Sequence, residues 1–364
     1  MRKSTIDLSK AVSPLLAIFF ALLFGGAAIY LLGFNPLAAY ASLAKGSVGS
    51  IKAVTETIVK AVPLIFTGLG FAVAKRCGMI NIGAEGQLYM GGLFATAVGV
   101  YWDFLPPGIH LLAALAAGVV GGGMWGALAG WFKVRFGASE IITTIMLNYI
   151  ASLFISFLVT GPMKEPKGEF PQSSQIAHTA QLPRILPGTR LHLGFIVALL
   201  ALAFFYYFLW KTASGYEMRV VGMNPEAARY AGMNTAKSSL LAMFMAGGFS
   251  GLAGATEILG VQFRLFQNFS PGYGFDGIAV ALLGRNTPIG IFLSGILFGM
   301  LRAGANMMQM LAKVPVSVIS IMQAFVILFV VGRSFFETRK SRVNILESES
   351  ESDLEAEVGE GDRV

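Results

Sequence analysis

Leu111-Leu-Ala-Ala-Leu-Ala-Ala-Gly-Val-Val-Gly-Gly-Gly-Met-Trp-Gly-Ala-Leu-Ala-Gly-Trp-Phe132 runs for 22 residues without a charged side chain. A membrane-spanning helix needs about 20 apolar residues, so this stretch is long enough to cross a bilayer. Within it Gly118, Gly122, Gly126 and Gly130 recur at every fourth position and make one continuous stripe of small residues. Small residues let helix backbones approach closely where lipid offers no hydrophobic drive. Gly247 and Gly251 repeat the spacing, as do Gly295 and Gly299. The stripes predict tight packing within one chain. The other reading is a subunit interface or a helix that slides during work.

The rest of the chain has the same character. Of 364 residues, 55% are hydrophobic and 13% charged, and mean hydropathy is +0.67. A soluble domain carries about 25% charged residues. The apolar content also excludes disorder for most of the chain. Cys77 is the one cysteine, so no intrachain disulfide and no cysteine-based metal cluster can form. His110, His178 and His192 are scattered without metal-ligand spacing. No nucleophile–base pair and no lysine-bearing phosphate loop is present, which argues against an enzyme.

Further apolar runs are read at 11–34, 58–74, 84–102, 140–160, 191–210, 238–260, 275–284, 288–308 and 316–333. The fold expected is all-α and polytopic, with about ten transmembrane helices, some broken or re-entrant. The run at 11–34 is longer than the ~7–15 residues of a signal-peptide core, so it reads as an uncleaved first span. Residues 35–57 are mildly polar and fit a short surface helix. An even number of spans puts both termini on one side. In that arrangement the inner segments hold 16 of the 26 basic residues outside the acidic tail, which places the termini in the cytoplasm. The resulting organisation is a cytoplasmic N-terminus at 1–10, a transmembrane domain at 11–334, and a charged, disordered cytoplasmic tail at 335–364. An outer loop at 161–190 carries five prolines and is irregular; an inner loop occupies 212–236.

Two stretches interrupt the apolar pattern. Cys77-Gly-Met-Ile-Asn-Ile-Gly-Ala-Glu-Gly-Gln87 sets Asn81, Glu85 and Gln87 among three glycines. Ser270-Pro-Gly-Tyr-Gly-Phe-Asp-Gly277 precedes an apolar run too short to cross a bilayer alone. Non-helical backbone at membrane depth is tolerated only against protein or a water-filled cavity, and one interruption in each half points to a translocation site. A carboxylate at the bilayer centre costs at least ~2.5 kcal/mol, so such residues face the interior. Glu85 and Glu140 have a structural explanation in the first turn of a helix, with Ser139 as the cap before Glu140. Glu257 has none, and nearby Arg264 is its expected partner.

The inner loop contains Gly215-Tyr-Glu-Met-Arg-Val-Val-Gly-Met-Asn-Pro-Glu-Ala-Ala-Arg-Tyr-Ala-Gly-Met233. Asn224 can cap a helix, Pro225 fits its first position and Glu226 complements its positive start. Gly232 supplies the left-handed stop. The pattern predicts a helix of about two turns carrying Arg229 and Tyr230, preceded by Met218 and Arg219. A rigid knob held between two spans can receive force from a soluble motor; the plainer reading is an amphipathic interfacial helix.

At these residues the chain resembles the permease subunits of bacterial ABC importers for ribose-type sugars, nucleosides and branched-chain amino acids. The marks are Asn81-Ile-Gly-Ala-Glu-Gly-Gln87, Arg219-Val-Val-Gly-Met-Asn-Pro-Glu-Ala-Ala-Arg-Tyr-Ala-Gly232 and Gly277-Ile-Ala-Val-Ala-Leu-Leu-Gly284. The Glu85-Gly-Gln87 form and the proline-rich outer loop ending Pro187-Gly-Thr-Arg-Leu-His-Leu-Gly194 resemble the guanosine-type nucleoside branch. The resemblance implies a multi-pass protein of the bacterial plasma membrane working with a second permease, related or identical. It further implies a double-headed cytoplasmic ATPase and a solute-binding lipoprotein or periplasmic protein. ATP and Mg would sit on the ATPase; this chain has no Walker A motif, and no cofactor, metal or nucleic acid is expected on it. Met218, Arg219, Gly222, Asn224, Pro225, Glu226, Arg229, Tyr230 and Gly232 would couple to the ATPase.

A nucleoside needs an apolar or aromatic face for its base and hydrogen-bonders for its ribose. Asn81, Glu85, Gln87, Asn148, Glu257 and Asp276 are the polar candidates along a substrate pathway, and Tyr273 or Phe275 the stacking candidates. The rivals are a simple-sugar permease, or an ion-coupled secondary transporter using Glu257 or Asp276.

Overall fold

The computed structural model describes residues 8–315 apart from 167, together with 317–318, 320–325 and 328–329. Twelve α-helices follow in order: α1 (Leu8–Leu31), α2 (Pro36–Val48), α3 (Ile51–Arg76), α4 (Ala84–Tyr101), α5 (Ile109–Phe136), α6 (Glu140–Thr160), α7 (Gly194–Lys211), α8 (Ala213–Met223), α9 (Pro225–Tyr230), α10 (Thr235–Glu257), α11 (Tyr273–Leu283) and α12 (Pro288–Ala312). A π-helical turn, Ile258–Gln262, continues α10. Among the described residues there is no strand. The 161–193 loop carries a short 3₁₀ turn, His178–Ala180, and isolated antiparallel bridges such as Gln172 with Phe266.

The architecture is all-α and polytopic. Among the described residues six helices are long and apolar enough to cross a membrane: α3, α5, α6, α7, α10 with its π turn, and α12. Phe19–Leu31 and α11 are apolar but shorter. The helix over 84–102 does form, as α4, but its polar first turn and its glycines keep it out of that set. The expected surface helix is α2, capped by the Asn35 side chain, which accepts from the Leu37 and Ala38 amides. The helix expected over 58–74 starts earlier, at Ile51, because Ser50 caps it by accepting from the Ala53 amide at 3.1 Å. The segment 1–10 lies mostly, the 316–333 run partly, and the tail 335–364 wholly outside the described residues.

α3 is the central shaft: 89% of its apolar window is buried, against 28% for α6 at the periphery. α10 packs on α3, α4 and α5; α11 and α12 pack on α3 from the other side. The glycine stripe of α5 faces the Gly247–Gly251 stripe of α10 in the same chain. A Cβ on Gly122 would overlap the Gly247 carbonyl, and one on Gly251 the Gly118 carbonyl. Gly295 packs against the Ile65 side chain, and Gly299 against Thr57 and Ala61. All three stripes therefore serve packing inside the chain.

Two expected local partners differ. Ser139 makes no side-chain cap bond; Glu140 instead pairs with Lys133 at 2.9 Å, across the turn between α5 and α6. Arg264 does not meet Glu257. It bonds Glu165 of the 161–193 loop and the Ser173 carbonyl, the latter at 3.3 Å. The reason is geometric: the π turn and the left-handed Phe263 (φ 60°) end the helix before Arg264, so a neighbour in sequence leaves the helix face.

Candidate functional site

α4 and α11 both begin inside the bundle, and neither has a side-chain cap on its N-cap glycine, Gly83 or Gly272. Their first turns meet end to end. Glu85, in the first turn of α4, accepts from the Gly274 amide of α11 at 2.6 Å. Ser270 accepts from the Gly272 and Tyr273 amides at 3.3 and 3.2 Å. Gly274 must be glycine here, since a Cβ would overlap the Glu85 backbone. One buried carboxylate thus lies between two positive helix ends and bonds the amide of one of them.

Asp276 lies one turn along α11. Arg302 of α12 donates to it from Nε (2.8 Å) and Nη2 (2.7 Å), and Gln323 donates at 3.1 Å. The same guanidinium reaches the Pro271 carbonyl at 3.1 Å and lies 4.9 Å from the Tyr273 ring centroid. Tyr273 is fully buried and its hydroxyl has no partner among the described residues, whereas Phe275 is 49% exposed. Asn81 and Gln87 exchange both amide bonds, at 2.9 and 3.0 Å, and Asn81 also accepts from the Gly83 amide. Asn148 of α6 accepts from the Gly86 amide at 2.8 Å and donates to the Ile82 carbonyl at 2.9 Å. These three amides hold the interrupted segment in shape. Glu257 is buried and bonded by Gln262 at 2.9 Å. The candidates therefore fall into three groups: the amide cluster, the α4–α11 junction with Asp276, and Glu257 at the π turn.

The inner loop folds as its residues require. The Asn224 side chain accepts from the Glu226 and Ala227 amides, both at 3.0 Å, Pro225 opens α9, and Gly232 takes φ 80°. Glu226, Arg229 and Tyr230 are exposed, Tyr230 at 94%. The preceding helix α8 was not expected; its signal was Thr212, whose side chain caps it by accepting from the Gly215 amide at 3.1 Å. Met218 is fully buried. Gly222 lies directly on the turn after α3: a Cβ there would overlap the Arg76 carbonyl and come within 2.9 Å of the Gly78 amide nitrogen. Arg76 and Arg219 both approach the Trp210 ring, at 5.3 and 6.0 Å. A continuous path thus runs from exposed α9 through α8 to Gly78, the interrupted segment and the α4–α11 junction. Gly222→Val is expected to leave a folded protein with uptake largely lost, since overpacking costs about 1–3 kcal/mol at this contact. Uptake into vesicles beside a monodispersity check tests it; wild-type uptake would sever this path.

At the opposite end, His192 packs its buried ring on Gly260 and accepts from the Gly194 amide at 3.1 Å. Burial, and then the positive charge of Arg190, push its pKa down to about 4. The unfolded chain therefore takes up this proton first, at about 6.5. The neutral imidazole's full contribution is present above pH 6.5 and is lost as pH falls toward 4. Thermal unfolding of purified protein at pH 7.5 and pH 5 should differ by about 2 kcal/mol from this group. His192→Phe should flatten that difference; an unchanged pH response would refute the assignment.

The sequence matches the profile of a family described as branched-chain amino acid transport system / permease component over residues 53–331. The chain belongs to this family. The permease is 36% identical to the glucose ABC transporter permease protein of Haloferax volcanii, covering 96% of this chain and 94% of that protein. It is 40% identical to the guanosine ABC transporter permease protein of Bacillus subtilis, covering 89% and 93%. It is 32% identical to a nucleoside ABC transporter permease protein of Lactococcus lactis subsp. cremoris, covering 90% and 92%. Bacillus subtilis and Lactococcus lactis each contribute a second such permease to the matches. The permease is a membrane protein whose work is passage rather than catalysis.

Proposed function

We propose that this permease is the membrane subunit of an ATP-driven ABC importer that moves nucleosides across a bacterial plasma membrane. About ten spans with both termini cytoplasmic remain the arrangement that the distribution of basic residues favours. The transmembrane domain is 11–334, between a short N-terminus and the acidic tail. A second permease is inferred from the paired relatives in two organisms. The double-headed ATPase, holding ATP and Mg, docks on the exposed Asn224–Gly232 knob, and Met218, Arg219 and Gly222 of α8 behind it pass the movement on. A solute-binding lipoprotein or periplasmic protein delivers cargo to the outer loops.

The observation that carries the reading is the backbone contact of Gly222 with the turn at Arg76–Gly78, which joins an exposed knob to the interrupted segment. For the cargo, the guanosine and nucleoside permeases are the support. The glucose permease, similar over almost the whole chain, keeps a simple sugar as the second reading. Asp276 is paired with Arg302, which leaves buried Glu257 as the carboxylate that an ion-coupled mechanism would have to use.

The test is reconstitution with candidate ATPase and binding subunits and competition among labelled guanosine, uridine, ribose and glucose. Guanosine should win and uptake should require ATP. Uphill transport by the permease alone would end the ABC reading; glucose uptake unaffected by nucleosides would end the nucleoside one. Asn148→Ala and Glu257→Gln should each lower uptake, and unchanged uptake of every nucleoside removes that residue from the pathway.

A further inference from the structure

Arg76 and Arg219 form a cationic pair without a counter-charge. Both side chains are half-buried, both approach the one Trp210 ring, and the Nε of each is buried with no hydrogen-bond partner. Among the described residues no carboxylate pairs with either. Arg76 Nη2 donates to the Asn286 carbonyl at 3.1 Å, and among the described residues the buried Asn286 Oδ1 has no donor. Two like charges held beside an aromatic ring, with an unmet acceptor between helices, are chemically incomplete.

An apolar groove of about 520 Å³ lies nearby, between α7 and the start of α12. It is lined by Leu202, Ala203 and Tyr206 on one side and by Thr287, Pro288, Ile289 and Phe292 on the other. The two features join on both walls. Tyr206 stacks on Trp210 at 5.6 Å, and Thr287 follows Asn286 in sequence. A charged end and an apolar channel in register fit a molecule with an anionic head and a hydrocarbon tail. Basic pockets between membrane helices are known to hold anionic lipid headgroups.

We propose that this groove binds one anionic diacyl phospholipid, with its phosphate at Arg76 and Arg219 and an acyl chain between α7 and α12. A headgroup carrying hydroxyls, as in phosphatidylglycerol, can also donate to Asn286 Oδ1. The lipid braces the base of α8 against the membrane. This inference rests on the membrane placement of the permease and not on its cargo, so a failed guanosine assay leaves it standing.

The experiment is native mass spectrometry of the purified full-length permease mixed with phosphatidylglycerol or with phosphatidylcholine of identical chains. Phosphatidylglycerol should be retained preferentially. Arg76→Gln with Arg219→Gln should reduce that preference about thirtyfold. The Arg76→Lys/Arg219→Lys protein, which keeps the charge, should retain most of it and guards against misfolding of the neutral variant. Ala203→Trp, which fills the channel, should release the lipid with both arginines intact. Equal retention of the two lipids, or unchanged preference in the neutral variant, overturns the proposal. So does full competition by inorganic phosphate with no effect of Ala203→Trp, which would make this a free-anion site. Release of the lipid by the ATPase subunit, assigning the arginines to that protein, overturns it as well.

Discussion

Gly251→Val is expected to abolish accumulation of folded permease. Gly251 stands where three helix backbones converge. A Cβ on it would overlap the Gly118 carbonyl and lie 3.0 Å from the Gly122 Cα, while Gly91 of α4 abuts the Gly251 backbone itself. None of these neighbours is a side chain that can rotate away. Overpacking of an ordinary core costs about 1–3 kcal/mol. Here the added carbons must push α5 off α10, which removes the close approach that holds the bundle in lipid. Gly248→Ala is the matched control: its Cβ meets the Val119 side chain at 3.2 Å, a contact that can give. Size-exclusion profiles of detergent-solubilised protein should show a monodisperse peak for Gly248→Ala and none for Gly251→Val. A monodisperse Gly251→Val with wild-type melting would mean that the stripes do not carry the packing.

The second large effect is expected at Asp276. Its replacement by alanine leaves Arg302 with the Pro271 carbonyl and the face of Tyr273. The side chains of the pair are 15% and 18% exposed, and stranding one partner of a buried pair costs about 3–5 kcal/mol. Asp276→Ala should therefore lower the melting temperature sharply and eliminate uptake. Asp276→Leu combined with Arg302→Met removes both charges and should recover much of the stability, because a buried pair is often replaceable by apolar residues. A double variant destabilised by the sum of the two single substitutions would show that the two residues act independently.

What could be read from the sequence follows the range of the interactions. The α9 knob was legible residue by residue, because an Asn cap, a Pro at the first position and a Gly stop act within one turn. The spanning character of α5 and the glycine stripes were legible for the same reason. The partners of the buried polar and charged groups were not. Glu85 meets Gly274 across 189 positions, and Arg264 meets Glu165 across 99, distances over which spacing carries no information. Asp276 and Arg302 had a signal that went unused: they are opposite charges lying close to apolar runs, and each needed a partner. Asn81, Gln87 and Asn148 were marked as polar groups facing a solute. They turn out to spend these hydrogen bonds on one another and on the backbone.

The Gly222 contact also determines how stiff the linkage is. Where side chains touch, a small shift is absorbed by rotamer changes and dies away within a layer or two. Main chain resting on main chain has no such slack. A displacement of α8 by a fraction of an ångström is therefore delivered undamped to the turn at Gly78, and a single methyl group inserted there would act as a wedge.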